Sequence, residues 1–127
     1  MLKFDYKNIE QLKEFMYNSF IHDSKIQKNE YKNVTNSIEI ELFNPIFNVK
    51  INLTFLDIEI ALAIKGDWSE NRETVVSLTV EEDFSYLQNY FLKQSKNIED
   101  SIYLLFQMFS GDELHIVCRN IIVEATK

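Results

Sequence analysis

The sequence predicts an α+β fold: a mainly antiparallel sheet of about six strands, an N-terminal helix, and a second helix before a C-terminal β-hairpin. Three observations carry this expectation. Apolar residues recur at every second position through the middle of the chain, the period of a half-buried strand. Two segments, near residues 8–18 and 84–92, switch to three- and four-residue spacing, the period of a helix. The connections between neighbouring strand runs are too short for the crossovers that parallel pairing requires. With 127 residues and 46 % hydrophobic content, a single α+β domain over residues 1–127 is expected, burying roughly two-thirds of its unfolded surface. Ten Phe and six Tyr argue against disorder.

In chain order, Ile9, Leu12, Phe15 and Met16 mark one helical face. Asn8 is the expected N-cap, with Gln11 at the third helical position reaching back to it. The helix should end near Asn18, before β-prone Phe20-Ile21. Ile38, Ile40 and Leu42 then alternate with Glu39 and Glu41, burying one strand face and leaving the other wet. Asn44-Pro45 breaks this strand, because proline cannot donate to a ladder and restricts the residue before it. Val49, Ile51, Leu53 and Phe55 alternate with Lys50, Asn52 and Thr54, so the two strands make an antiparallel hairpin. Ile58, Ile60, Leu62 and Ile64 extend the alternation; three isoleucines favour strand over helix. Residues 65–72 form a polar loop holding the only Trp. A strand over 74–80 ends at Glu81-Glu82-Asp83. Phe84, Leu87, Phe91 and Leu92 then share a helical face that Asp83 caps, with Lys93 and Lys96 near the negative end.

Residues 102–124 hold two apolar runs around Ser110-Gly111-Asp112-Glu113, which reads as a hairpin with large side chains on both faces. Such a hairpin has to be covered on both sides, so it should be central. Phe106, Met108, Leu114 and Ile116 are expected to be mostly buried, with Leu114→Ala costing about 2–5 kcal/mol.

Composition removes several function classes. Two Gly and one Pro leave little room for a GxGxxG or P-loop phosphate cradle. A formal charge of −7 repels phosphate backbones, so nucleic acid is not an expected partner, whereas basic proteins or cations are. Cys118, the only cysteine, lies in Ile116-Val117-Cys118 and reads as a buried structural thiol. The charged N-terminus has no apolar core of a signal peptide. The longest apolar stretch, 58–64, is interrupted by Glu59 and is too short to span a bilayer. A cytoplasmic location and no membrane association are therefore expected.

No catalytic motif is present. His22-Asp23-Ser24 contains the elements of a nucleophilic triad, but adjacent strand residues point to opposite faces and cannot assemble one. His22 and Asp23 more simply shape the entry to a strand through local hydrogen bonds. His115, three residues after Asp112, could join His22, Asp23, Asp112 and Glu113 in a metal site if the segments met. The spacing matches no metal motif, and no metal or cofactor is expected. Glu81, Glu82 and Asp83 precede a helix, where the dipole favours carboxylates without any acid–base role. Trp68 on a polar loop is the best candidate for an interaction anchor, or else a lid folded over the sheet.

Several segments together, FIHDSKI (20–26), IEIELFNP (38–45), GDW (66–68), SLTVEED (77–83) and FQMFSGDELHIVC (106–118), resemble small uncharacterised proteins of low-GC Gram-positive bacteria. Some of these resemble immunity proteins of polymorphic toxin systems. The Asn, Lys and Ile content fits an AT-rich genome. The resemblance implies no catalytic residues, and none are carried over.

The expected function is therefore non-enzymatic protein binding, as an immunity-type inhibitor of a basic toxin domain. The partner-facing patch expected from the sequence comprises Asp67, Trp68, Glu70, Glu81 and Glu82. The first three and the last two flank opposite ends of the 74–80 strand, so they share a surface only if the loop folds back. Two alternatives use other features: a self-associating protein that forms homo-oligomers through a sheet face or edge, and a metal-dependent enzyme built on His22 and His115.

Overall fold

The computed structural model describes residues 1–18, 20–66, 74–87 and 100–126, with Asn18 and Tyr86 described by backbone alone. Among these residues the fold is α+β and mainly antiparallel, but it holds nine strands in two sheets rather than about six in one. The first sheet has the order β1 (Leu2–Phe4), β9 (Asn120–Thr126), β4 (Val49–Leu56), β3 (Ser37–Asn44), β2 (Lys25–Lys32). The second has the order β5 (Ile60–Ile64), β8 (Glu113–Cys118), β7 (Ile102–Met108), β6 (Val75–Glu81). Helix α1 covers Ile9–Asn18.

The predicted hairpin around Asn44-Pro45 is present as β3 and β4, with Ile38 opposite Phe55 and Leu42 opposite Ile51. Its apolar row faces the core, and its other row is wet and ionic. Lys32 and Lys28 meet Glu39 at 2.9 and 3.4 Å, and Lys50 meets Glu41 at 3.2 Å. The inner rows of both sheets share one core, in which Phe55 of β4 and Phe106 of β7 meet edge-on at 6.1 Å between ring centres.

A corner joins the sheets. β4 pairs with β9 in one sheet, and their continuations β5 and β8 pair in the other. A two-stranded ribbon thus bends from layer to layer, a known way for strands to switch sheets. The ladder carries through the bend: Arg119 N–H donates to the Leu56 carbonyl (3.2 Å) and Glu59 N–H to Val117 (2.8 Å). This corrects the expected two-strand hairpin over 102–124. The run breaks at Arg119, and 120–126 belongs to the first sheet. Asp57 takes the left-handed backbone needed for the bend, φ 55°. All five non-glycine residues with positive φ among the described residues are Asn or Asp: Asp23, Asn36, Asn48, Asp57 and Asp100. Their short polar side chains tolerate that region, which lets a chain with two glycines turn so often. Those two glycines meet. A Cβ on Gly66 would strike the backbone of Ser110, Gly111 and Asp112, so only glycine lets the end of β5 lie against the β7–β8 turn.

The N-terminal helix is where its periodicity placed it, but its cap is not. A 3-10 turn over Tyr6–Asn8 precedes it, capped by Asp5, whose carboxylate accepts from the Lys7 N–H (2.8 Å). Asn8 is the far partner of that cap, accepting from the Asp5 N–H at 2.7 Å, rather than the cap itself. Leu12 and Met16 point into the core, with Phe15 packed against it. α1 lies against β6 and β1, bridging an edge of each sheet. Of the segment expected to form the second helix, the described part is a 3-10 turn over Ser85–Leu87, whose Ser85 N–H donates to Asp83 (2.9 Å). Phe91, Leu92, Lys93 and Lys96 lie outside the described residues.

Phe106, Met108 and Ile116 are buried as expected, whereas Leu114 is only partly buried and packs at the margin of the core. The second sheet is covered on both faces, since Phe84 and Leu87 close over Ile60, Tyr103 and Val117 on its outer side. Cys118 is buried, and burial raises its thiol pKa far above the usual value, with Glu59 and Asp57 adding to the shift. A thiol so held has almost no thiolate near neutrality. Native protein should therefore react with a thiol reagent far more slowly than urea-unfolded chain, and equal labelling rates would contradict this placement.

Candidate functional site

An apolar opening lies where α1 leaves part of the inner face of the first sheet uncovered. Leu2 and Phe4 of β1, Ile51 of β4 and Ala125 of β9 form its floor; Phe15 of α1 and Phe20 form its walls, with Gln11 and Glu14 at the lip. The groove holds about 450 Å³. Phe20 is 42 % exposed and Leu2 48 %. The Phe20 ring touches Phe47, itself 54 % exposed, at 4.8 Å between centres. An apolar cleft rimmed by exposed aromatic rings with a few polar groups is the kind of surface that other proteins occupy.

Asn44 builds this rim. It is 1 % exposed and bonded on every side. Its carboxamide nitrogen donates to the carbonyls of Phe20 (2.8 Å) and His22 (3.3 Å). Its oxygen accepts from the N–H groups of Ile46 (2.9 Å) and Phe47 (3.3 Å). One buried amide thus clamps the 20–22 turn to the β3–β4 turn and sets Phe20 beside Phe47. Ser24 secures the same turn through its hydroxyl, which donates to the Phe20 carbonyl at 2.6 Å. Asn44→Leu should cost about 1–3 kcal/mol in denaturant melts, because buried partners lose their bonds, and Phe20 and Phe47 should separate. An unchanged melt with the ring contact intact by NMR would refute the clamp.

Of the sequence-predicted patch, Glu81 and Glu82 are among the described residues. Asp67, Trp68 and Glu70 lie outside the described residues. Glu82, at the end of β6, is ion-paired with Lys13 of α1. That hydrogen bond holds the Glu82 carboxyl below the usual carboxylate range. Glu81 accepts from the Thr79 hydroxyl at 3.0 Å. Both are surface groups; Glu82 fastens the helix to β6.

The two histidines have separate surroundings. His22 is exposed and lies 3.4 Å from Asp23, the local contact expected at a strand entry. His115 is buried on the outer face of the second sheet, its Nδ1 2.6 Å from the Tyr103 hydroxyl and its Nε2 3.3 Å from Glu113. Carboxylate, imidazole and phenol in line form the skeleton of a proton relay. Yet Tyr103 is also buried, and Phe84 stacks on its ring at 5.4 Å, so the relay is sealed from substrate. The arrangement satisfies buried polar groups and fixes the covering segment. Among the described residues no group of three or more His, Cys, Asp or Glu could hold a metal ion. None of the described helices is long and apolar enough to cross a membrane.

Sequence reasoning missed the groove. Phe20 and Phe47 carried a usable signal, since each is a large aromatic beside turn residues, Phe20 before His22-Asp23 and Phe47 after Asn44-Pro45. That they share a rim depends on Asn44 bonding across 24 residues, which no periodicity reveals. Compared with known proteins, the chain matches no family model and no curated sequence.

Proposed function

We propose that this chain is a non-enzymatic protein-binding module of the immunity type, which holds a basic toxin domain at the groove beside α1. The observation that carries the reading is the pair of exposed rings, Phe20 and Phe47, held by a buried clamp at the lip of an apolar cleft. Rings left about half exposed contribute less to folding than buried ones, whereas an interface gains from pre-set aromatic anchors. The net charge of −7 favours a basic partner and speeds encounter with it. In this reading the acids Asp67, Glu70, Glu81 and Glu82 steer approach and Trp68 is the anchor expected from the sequence, while the groove supplies most of the binding energy.

The test is co-expression with the product of the gene immediately upstream, which this reading expects to be toxic alone. The wild-type chain should restore growth. Phe20→Ala and Phe47→Ala should each weaken the purified complex by about 2 kcal/mol or more, the hot-spot threshold, without lowering the melting temperature of the free protein. Charge reversal at Glu81 and Glu82 should mainly slow association at low salt. Absence of any rescue would reject the immunity reading. Rescue and affinity unchanged in both phenylalanine variants would move the contact away from the groove.

A further inference from the structure

The four sheet edges are unequal. An edge strand offers unpaired N–H and C=O groups to any extended chain, and proteins blunt such edges with charge, bulges, brevity or cover. β2 carries Lys25, Lys28, Glu30 and Lys32 and a register shift between Ile26 and Lys28. β1 is three residues long. β6 has a register shift between Val75 and Ser77, and α1 lies against it. Among the described residues β5 has none of these protections. Its five residues pair with β8 in unbroken register, and among the described residues nothing bonds to its outer edge. It contains no charge, glycine or proline. Ala61 and Ala63 are exposed on the core-facing side, Ala63 beside a cleft that Ile26 and Asn29 of β2 also line.

The sequence of this edge is a palindrome, Ile60-Ala61-Leu62-Ala63-Ile64. A strand meeting its own copy antiparallel across a two-fold axis places each residue opposite its mirror position. Here Leu62 faces Leu62, Ala61 faces Ala63 and Ile60 faces Ile64, so side chains of equal size meet throughout. The flanks are complementary too, since Glu59 comes opposite Lys65 of the second copy. Glu59 is already held by Arg119 at 3.2 Å, so this flank removes like-charge conflict rather than adding a strong bond. Any charge at position 62 would face itself; the residue there is leucine. The two small alanines on one side admit close approach, and on the other the Ile60-Leu62-Ile64 row would extend the outer apolar cluster across the axis.

We propose that the outer edge of β5 pairs antiparallel with β5 of a second copy of this chain, joining two four-stranded sheets into one of eight. The interface is isologous, as two-fold dimers require, and uses main-chain bonds for affinity as strand addition does elsewhere. It rests on an edge separate from the groove beside α1 and stands or falls independently of the partner proposed there. Five residues make a short contact, so the dimer should be weak and concentration-dependent.

Sedimentation velocity on the full chain over a wide concentration range should show a monomer–dimer equilibrium. Hydrogen exchange should slow at residues 60–64 as concentration rises. The double variant Ala61→Lys/Ala63→Lys sets lysine against lysine twice and should raise the dissociation constant at least about tenfold, the factor that 1.4 kcal/mol represents. The variant Ala61→Lys/Ala63→Glu sets opposite charges together and should restore dimerisation at the same two positions. Both residues are exposed, and the restored variant separates lost pairing from lost folding. A wild-type chain that stays monomeric at all concentrations overturns the proposal. So does a dimer whose 60–64 amides exchange as in the monomer, or one that the lysine pair leaves as tight as before.

Discussion

Phe106→Ala should destabilise the protein by about 3–5 kcal/mol, the range for an aromatic ring removed from a well-packed core. Phe106 is fully buried on the inner face of β7, and its ring meets Phe55 of β4 edge-on, so it is a direct contact between the sheets. Truncation loses the transfer energy of the ring and leaves a cavity between two layers that cannot both collapse into it. The melting temperature should fall on the order of 10 °C or more for a chain of this size. Phe55→Leu alone should cost less, and the double variant should cost less than the two single losses together, because neighbouring sites couple by about 0.5–3 kcal/mol. Urea melts of the four proteins provide the measurement. A loss below roughly 1 kcal/mol for Phe106→Ala would mean that the sheets do not face each other through this ring. Leu114, only partly buried, should lose less than the range expected from sequence.

The contrast between Phe106 and Leu114 shows what periodicity reveals. The two-sided apolar character of the hairpin marked both for burial, and they are cross-strand partners. It could not say which stands under the opposite sheet, because that depends on where the other layer ends. β3, β4 and β5 were legible because an apolar row over a buried face leaves a period of two. β2 was not, because most of Lys25–Lys32 is exposed on both faces and leaves no apolar row. The corner was invisible for a different reason: the alternation through Ile58, Ile60 and Leu62 continues without interruption, while Asp57 bends the backbone with no glycine or proline to announce it. The same use of Asn in place of glycine hid the turn at Asn36. For the site, the sequence drew attention to acids and to Trp68. The groove instead arises from residues far apart in the chain, Leu2, Phe15, Phe20, Ile51 and Ala125, which meet only because β1 and β9 pair and α1 bridges the edges.

Leu12→Ala should cost about 2–5 kcal/mol, the range for truncating a buried leucine, and its effect should reach the groove. Leu12 is completely buried and is the deepest anchor of α1, with Met16 one turn on and Phe15 packed alongside. A ten-residue helix is too short to be stable alone and persists through its apolar face. The exposed Lys13–Glu82 ion pair also ties the helix to the second sheet, but solvent screens it and it contributes little. With Leu12 truncated, α1 should therefore loosen before the sheets do. Hydrogen exchange should speed up over residues 9–18 more than over β4 or β7, and Phe15 should lose its fixed contact with Phe4, now 5.8 Å between ring centres. The groove loses one wall, so partner binding should weaken even below the melting transition. Leu12→Met keeps the volume nearly constant and should cost less than about 1.5 kcal/mol while preserving the groove. If Leu12→Ala lowers stability but leaves exchange in α1 unchanged relative to the sheets, the helix is held by contacts other than this leucine, and the groove does not depend on it.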